Sequence, residues 1–382
     1  MTKIYIVLLS SFLCATNIFA QDASSDTAPP ALRAEFSYLC DQINNLQGGI
    51  KKGSVFLGMA SLRLNFDTEK AHLWKGGNFF LHAANIHGKS PSENLLGDMQ
   101  VASNIDAGNH TYVQELWYSQ TIGNTELILG LQDLNAEFAN TEYGSFYMNS
   151  SFGIMPLISN NLAAPIFPLT TLGFTVKWHI NQKLTWLNAL YDGCPSDFDT
   201  NPYNLSWKFS PGDGLLTVSE LQYNLASDKL PGTYKLGIFT HNHILEQTLG
   251  IDIPQAKESS VLGFYAHADQ ILWHKDDRFF ALFAQLGYSP TPDCVNNYYF
   301  GLGLNYQGIF SPPGKDMLGI AIAHERLCEF ETAETTWEFS YRYDFSAHFF
   351  VQPNLIHIVH PLGTGEVLAN STSLNLRLGL SL

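Results

Sequence analysis

The run QELWY at residues 114–118 sets a carboxylate and an indole two positions apart. Side chains on an extended strand alternate between faces, so Glu115 and Trp117 share one side while Leu116 and Tyr118 share the other. A carboxylate accepts hydrogen bonds from hydroxyls, and an aromatic ring covers an apolar C–H face. The pair therefore suits a solute that carries hydroxyls around a hydrocarbon skeleton, as a sugar does, and such recognition needs no covalent step. The opposing reading of Trp117 places it in an aromatic belt at a membrane surface. Glu115 favours the first reading, because an ionised carboxylate turned toward hydrocarbon is costly.

The same reasoning orients other ionised residues. Arg63 stands between Leu62 and Leu64, Lys177 between Val176 and Trp178, and Arg377 between Leu376 and Leu378. Glu338 and Arg342 oppose a face made of Trp337, Phe339, Tyr341 and Tyr343, and Glu220 and Lys235 follow the same rule. All are expected on a wet interior. Their plainer role is to brace an inner wall as paired, hydrated charges. In the run LNAEF (134–138), Asn135, Glu137 and Phe138 follow a strand, and Pro156, Ala164, Pro165 and Pro168 mark a structured loop able to fold inward and narrow a passage. No G-x-S-x-G turn that would expose a strained nucleophile is present, so no catalytic residue is assigned. His241 and His243 lie two apart, and His357 and His360 are close in sequence, yet neither pair belongs to a three-ligand set with a carboxylate. No metal and no other cofactor is expected.

The elements that position these residues are strands. Leu172, Phe174, Val176, Trp178 and Ile180 alternate with Gly173, Thr175, Lys177 and His179. Tyr298, Phe300, Leu302, Leu304 and Tyr306 alternate with Tyr299, Gly301, Gly303, Asn305 and Gln307. At the C-terminus Leu374, Leu376, Leu378, Leu380 and Leu382 oppose Asn375, Arg377, Gly379 and Ser381. A soluble sandwich also alternates. Three features favour a membrane barrel instead: apolar faces of roughly 9–10 residues, aromatic residues at their ends, and opposite faces of Gly, Ser, Asn and ionised residues, as in a wet lumen. Strands crossing lipid must pair every backbone group, so the sheet must close.

Composition agrees. Only 14% of residues are charged, 13% are aromatic, and 30 are glycine. A formal net charge of −15 argues against nucleic acid as a partner. Lys3, the apolar stretch 4–13 and Ala20 read as an export signal over residues 1–20, too short to span a bilayer as a helix. Residues 21–47 read as a flexible periplasmic N-terminal segment, and 48–382 as one barrel domain without linkers. Cys40, Cys194, Cys294 and Cys328 follow the signal and would meet an oxidising compartment, with one or two disulfides possible and three pairings open.

Several stretches, in order, resemble the carbohydrate-selective (OprB-type) porins. They are GGIKKG (48–53), LRLNFDTEKAHLWKGGNFFLH (62–82), GDMQVASNIDA (97–107), QELWYSQ (114–120) and LGLQDLNAEFA (129–139). SFYMNSSFGIMP (145–156), AAPIFPLTTLGF (163–174), YDGCP (191–195), GLLTVSELQY (214–223), PGTYKLGIF (231–239), ETTWEFSYRYDF (334–345) and VQPNLIHIVHPLG (351–363) continue the series. Leu382 departs from the aromatic that usually ends such barrels, though it falls on the apolar face. The resemblance implies an all-β fold, a transmembrane antiparallel barrel of sixteen strands in the outer membrane of a Gram-negative bacterium. It further implies a monomer that passes small sugars and polyols, with membrane lipid and the solute as its partners. The alternatives are a general or weakly cation-selective porin, favoured by the acidic charge, and an outer-membrane barrel enzyme, for which no Ser-His pair stands out.

Overall fold

The computed structural model describes residues 30–209, 212–227, 230–244, 258–292, 294–311, 314–328 and 332–382. The expected export signal and the His243 side chain lie outside this description. Sixteen antiparallel strands pair in chain order, and the first pairs with the last to close a barrel. They are β1 (Leu32–Gln47), β2 (Gly53–Asp67), β3 (Gly77–Gly88), β4 (His110–Ile122), β5 (Thr125–Gln132), β6 (Thr171–His179), β7 (Leu184–Asp192) and β8 (Leu215–Leu225). The second half is β9 (Gly232–Ile244), β10 (Glu258–Lys275), β11 (Arg278–Tyr288), β12 (Asn296–Gln307), β13 (Asp316–Leu327), β14 (Thr332–Ser346), β15 (Phe349–Val359) and β16 (Ser371–Ser381).

Strand β1 corrects the expected boundary, because residues 32–47 belong to the barrel and not to a flexible segment. The sequence LRAEFSYLCDQINNLQ alternates weakly. It is held extended because β2 and β16 would otherwise each present an unpaired edge to lipid.

Outward faces are apolar along the barrel. Phe174, Leu236, Ile320, Phe339 and Leu374 are all exposed and would meet lipid chains. Leu32, Ser381 and the short turns 123–124, 276–277 and 347–348 lie at one end, and the long loops 89–109, 133–170 and 193–214 at the other. Short turns face the periplasm in such barrels and long loops the exterior. An aromatic girdle rings the periplasmic end, with Trp74, Phe79 and Tyr118 in one cluster and Trp178 beside Trp186. Tyr223 with Tyr234, Trp273 with Tyr306, and Phe345 with Phe349 continue it.

The interior departs from a uniformly wet lumen. Loop 133–170, which carries α1 (Leu134–Glu137) and α2 (Pro156–Ser159), folds into the barrel. Its Leu134, Phe138, Tyr147, Phe152, Met155 and Leu157 bury themselves against Tyr191, Val218, Phe239, Tyr265, Phe283 and Tyr299 of the inner wall. Inward glycines there make room for neighbouring rings: a Cβ on Gly263 would come within 2.1 Å of Phe239 Cζ, and one on Gly303 within 2.1 Å of Phe283 Cε1.

Candidate channel constriction

The inserted loop is fastened by wall side chains that satisfy its backbone, as burial of an irregular segment demands. The Ala139 N–H donates to Glu220 at 2.9 Å, and Lys235 Nζ donates to the Asn140 carbonyl at 3.0 Å. Glu142 and Tyr143 N–H groups both donate to Asp269 at 3.0 Å. Glu338 receives the N–H groups of Met148 and Asn149 at 2.7 and 2.9 Å. Tyr299 and Gln285 donate to the carbonyls of Ser151 and Phe152. A second loop, 89–109, docks beside it: Glu334 accepts from the Met99 and Gln100 backbone. Arg377 clasps Asp41 through two bonds of 2.7 Å and donates to Asn104 at 2.7 Å.

Away from the filled side, the inner wall from β2 to β6 carries a second polar cluster. A β-bulge opposite His82 and Ala83 turns both Gln114 and Glu115 inward. Trp117 Nε1 donates to Glu115 at 3.1 Å, and its ring stacks on Phe80 with centroids 4.8 Å apart. Across β5, Gly130 takes a φ of +141°, and a Cβ there would lie 2.7 Å from the Trp117 Cα, so glycine permits the close pairing. His82 Nδ1 lies 3.7 Å from the Glu115 carboxylate. The Arg63 guanidinium sits within electrostatic reach of Glu115 and Glu35. Lys177 bridges Glu137 at 2.5 Å and Glu126 at 3.5 Å.

The loop enters this region through Asp133. Its carboxylate caps α1 by accepting the Asn135 N–H at 2.9 Å, and it accepts Gln114 Nε2 at 3.1 Å. Burial pushes the Asp133 carboxyl up to about 7, and the neighbouring Glu115 adds to the rise against those two hydrogen bonds. Burial also raises Glu137, opposed by Lys177.

The structure thus sorts the residues chosen from sequence. Arg63, Glu115, Trp117, Glu137 and Lys177 lie in one polar and aromatic cluster where the inserted loop begins. Glu220, Glu338 and Arg377 point inward as expected, but their polar atoms are spent on anchoring loops. Arg342 stands near the periplasmic mouth, paired with Asp344 at 2.7 Å and seated 3.8 Å over the Phe350 ring. Sequence reasoning passed over Phe80, His82, Glu126 and Asp133, whose roles come from cross-strand or loop contacts. His241 contacts the Gly193 carbonyl and His357 the Thr372 hydroxyl. Among the described residues no group of three or more His, Cys, Asp or Glu is placed to hold a metal ion.

A closed barrel with a lipid-facing apolar exterior and a long loop folded into its interior is a porin, a diffusion channel of the outer membrane. The sequence profile of the carbohydrate-selective porin, OprB family, matches residues 51–382. Porin B of Pseudomonas aeruginosa is 26% identical over 319 residues, which span 76% of this chain and 68% of that protein. The high-pH structure of Pseudomonas putida OprB superposes with a TM-score of 0.81 at 19% identity, covering 92% of this chain and 94% of that one. The low-pH structure of the same protein gives 0.61 at 17% identity, covering 92% and 93%. This chain belongs to the OprB family of carbohydrate-selective porins, and it is an outer-membrane sugar channel.

Proposed function

We propose that this porin passes small neutral sugars and polyols by passive diffusion, without any chemical step, and that selection occurs at the eyelet of Arg63, Glu115, Trp117, Glu137 and Lys177. The observation that carries the reading is the Glu115–Trp117–Phe80 unit on the inner wall. Paired ions exchange hydrogen bonds with hydroxyls as the solute sheds water, and the indole offers its face to C–H groups. Pairing also keeps each contact weak enough to release the solute, as conduction requires. Residues 1–20 direct export in this reading, and a single barrel suffices, since every eyelet residue comes from one chain.

Liposome swelling tests it directly. Monosaccharides and polyols should enter fastest, with rates falling as the sugar grows, and amino acids of the same size should lag. Equal rates for amino acids and sugars of one size would defeat sugar selection. A second reading, weak cation preference, rests on the carboxylates Glu115, Glu126, Asp133 and Glu137 outnumbering Arg63 and Lys177 around the eyelet. Reversal potentials at low salt decide it, and strong anion preference would exclude it.

A further inference from the structure

We propose that Cys294 and Cys328 form a disulfide in the exported protein, and that this cross-link staples the extracellular anchor of the constriction loop. Cys294 precedes β12 and Cys328 follows β13. These two strands pair with Asn296 opposite Leu327, and beyond the last pair the Cys328 N–H donates to the Val295 carbonyl at 2.9 Å. The backbones are therefore held at β-spacing where the two cysteines emerge, within the separation that a disulfide spans. Their side chains face each other closely enough to interact directly. Cys294 is buried and Cys328 half-buried, so Cys328 is the sulfur open to an oxidant.

The other two cysteines have different surroundings. Cys40 sits within β1, in register with Leu378 and Gly58. Cys194 lies in loop 193–214, where its thiol contacts the Pro195 carbonyl.

Formation follows thiol–disulfide exchange with a protein disulfide as oxidant. The Cys328 thiolate attacks one oxidant sulfur and expels the other as a thiolate, leaving a mixed disulfide. The Cys294 thiolate then attacks Cys328 Sγ, forms the new S–S bond and releases the second oxidant sulfur. Two electrons and the two thiol protons end on the oxidant, now a dithiol.

What the cross-link holds is adjacent. Asn296, two residues from Cys294, exchanges two hydrogen bonds with Asn161 of the constriction loop, its carbonyl accepting at 2.6 Å and its N–H donating at 2.8 Å. Glu325, three residues from Cys328, accepts from Asn160 at 3.1 Å and from Asn296 at 2.7 Å. The ends of β12 and β13 thus form the seat of the loop's second half.

The test uses protein purified from outer membranes, denatured and labelled with a large maleimide before and after reduction. Reduction should expose two additional thiols, and the Cys294→Ser/Cys328→Ser variant should show no such gain. Peptide mapping without reductant should recover the two cysteines in one linked species. An equal label count with and without reductant, or a link through Cys40 or Cys194, overturns the pairing. For the staple, open-channel current noise should rise several-fold in the double variant and in reduced wild type. Noise equal to that of oxidised wild type would overturn the anchoring role even with the disulfide present.

Discussion

The two sides of the lumen are built on the same alternation and put to opposite uses. From β8 to β14 the inward residues include Val218, Phe239, Tyr265, Phe283 and Tyr299, and they form a dry core with the inserted loop. From β2 to β6 the inward residues include Arg63, Glu115, Trp117 and Lys177, and they carry a cluster of ion pairs and hydrogen bonds. Carboxylates occur on both sides. On the filled side Glu220, Asp269 and Glu338 receive backbone N–H groups of the loop, while on the open side Glu115 and Glu137 meet side chains. An inward charge in a barrel is thus a pore residue or a fastener according to what the loop does opposite it.

Releasing the fastened side should have the largest effect. Glu338→Ala strands the Met148 and Asn149 N–H groups and removes one of the two acceptors of Asn354. Each buried donor left unpaired costs roughly 1–3 kcal/mol. Phe283→Ala opens a cavity beneath Tyr147 and Phe152, at a cost of about 3–5 kcal/mol. The loop should detach while the barrel persists. Single-channel conductance should rise several-fold, and oligosaccharides excluded by wild type should enter liposomes. Unchanged conductance in both variants would show that the loop's own fold sets the pore.

Changes on the open side should alter recognition without touching conductance to the same degree. Glu115→Gln and Trp117→Ala each remove one component of the proposed sugar contact. A hydrogen bond to a charged group contributes about 1.5–3 kcal/mol, and about 1.4 kcal/mol corresponds to tenfold in affinity. Sugar block of ion current should weaken about tenfold in either variant, with heat-modifiable gel mobility kept. Wild-type block in both would move selection elsewhere on the rim.

Much of this was legible in the sequence, and the failures share a cause. The faces of β6, β12, β14 and β16 follow from local alternation, and so does the inward turn of Glu115 with Trp117. The filling of the lumen does not, because it depends on where residues 133–170 go. A signal was nevertheless present: RFFALFAQLGY in β11 is apolar on both faces, as strands buried on both sides are. β1 was missed because its meaning is non-local. Asp41 is explained by Arg377, 336 positions away, and by Ser103 of loop 89–109. Phe80 likewise acquires its role from Trp117 on the neighbouring strand.

Where the two sides meet, Asp133 should respond to pH. Its carboxyl is raised to about 7, so the proton is held well above the ordinary value near 3.9. A raised carboxyl favours the docked loop while it is protonated. That stabilisation is full below the ordinary value and is lost as pH rises toward 7. Above 7 the group adds a negative charge at the loop's entry. Cation preference at low salt should therefore increase modestly from pH 6 to pH 8, and Asp133→Asn, which keeps the helix cap, should flatten the rise. An equal slope in wild type and variant would assign the titration to another group.

The smallest effect is expected at Arg342, which belongs to neither side. Its guanidinium is already engaged by Asp344 and lies over Phe350, near the periplasmic mouth. The pair is partly exposed, and such pairs contribute about 0–1 kcal/mol. Arg342→Met should thus leave folding and sugar block within about fivefold of wild type, the range that such a contribution covers. Removing one positive charge still unmasks Asp344 at the mouth, so cation preference at low salt should rise slightly. Screening acts over a Debye length of about 8 Å at physiological salt and about 3 Å at 1 M, so the rise should vanish in concentrated salt. Sugar block falling tenfold in this variant would instead make the periplasmic mouth a second selective zone, and the division of the lumen into a fastened side and a selecting side would no longer hold.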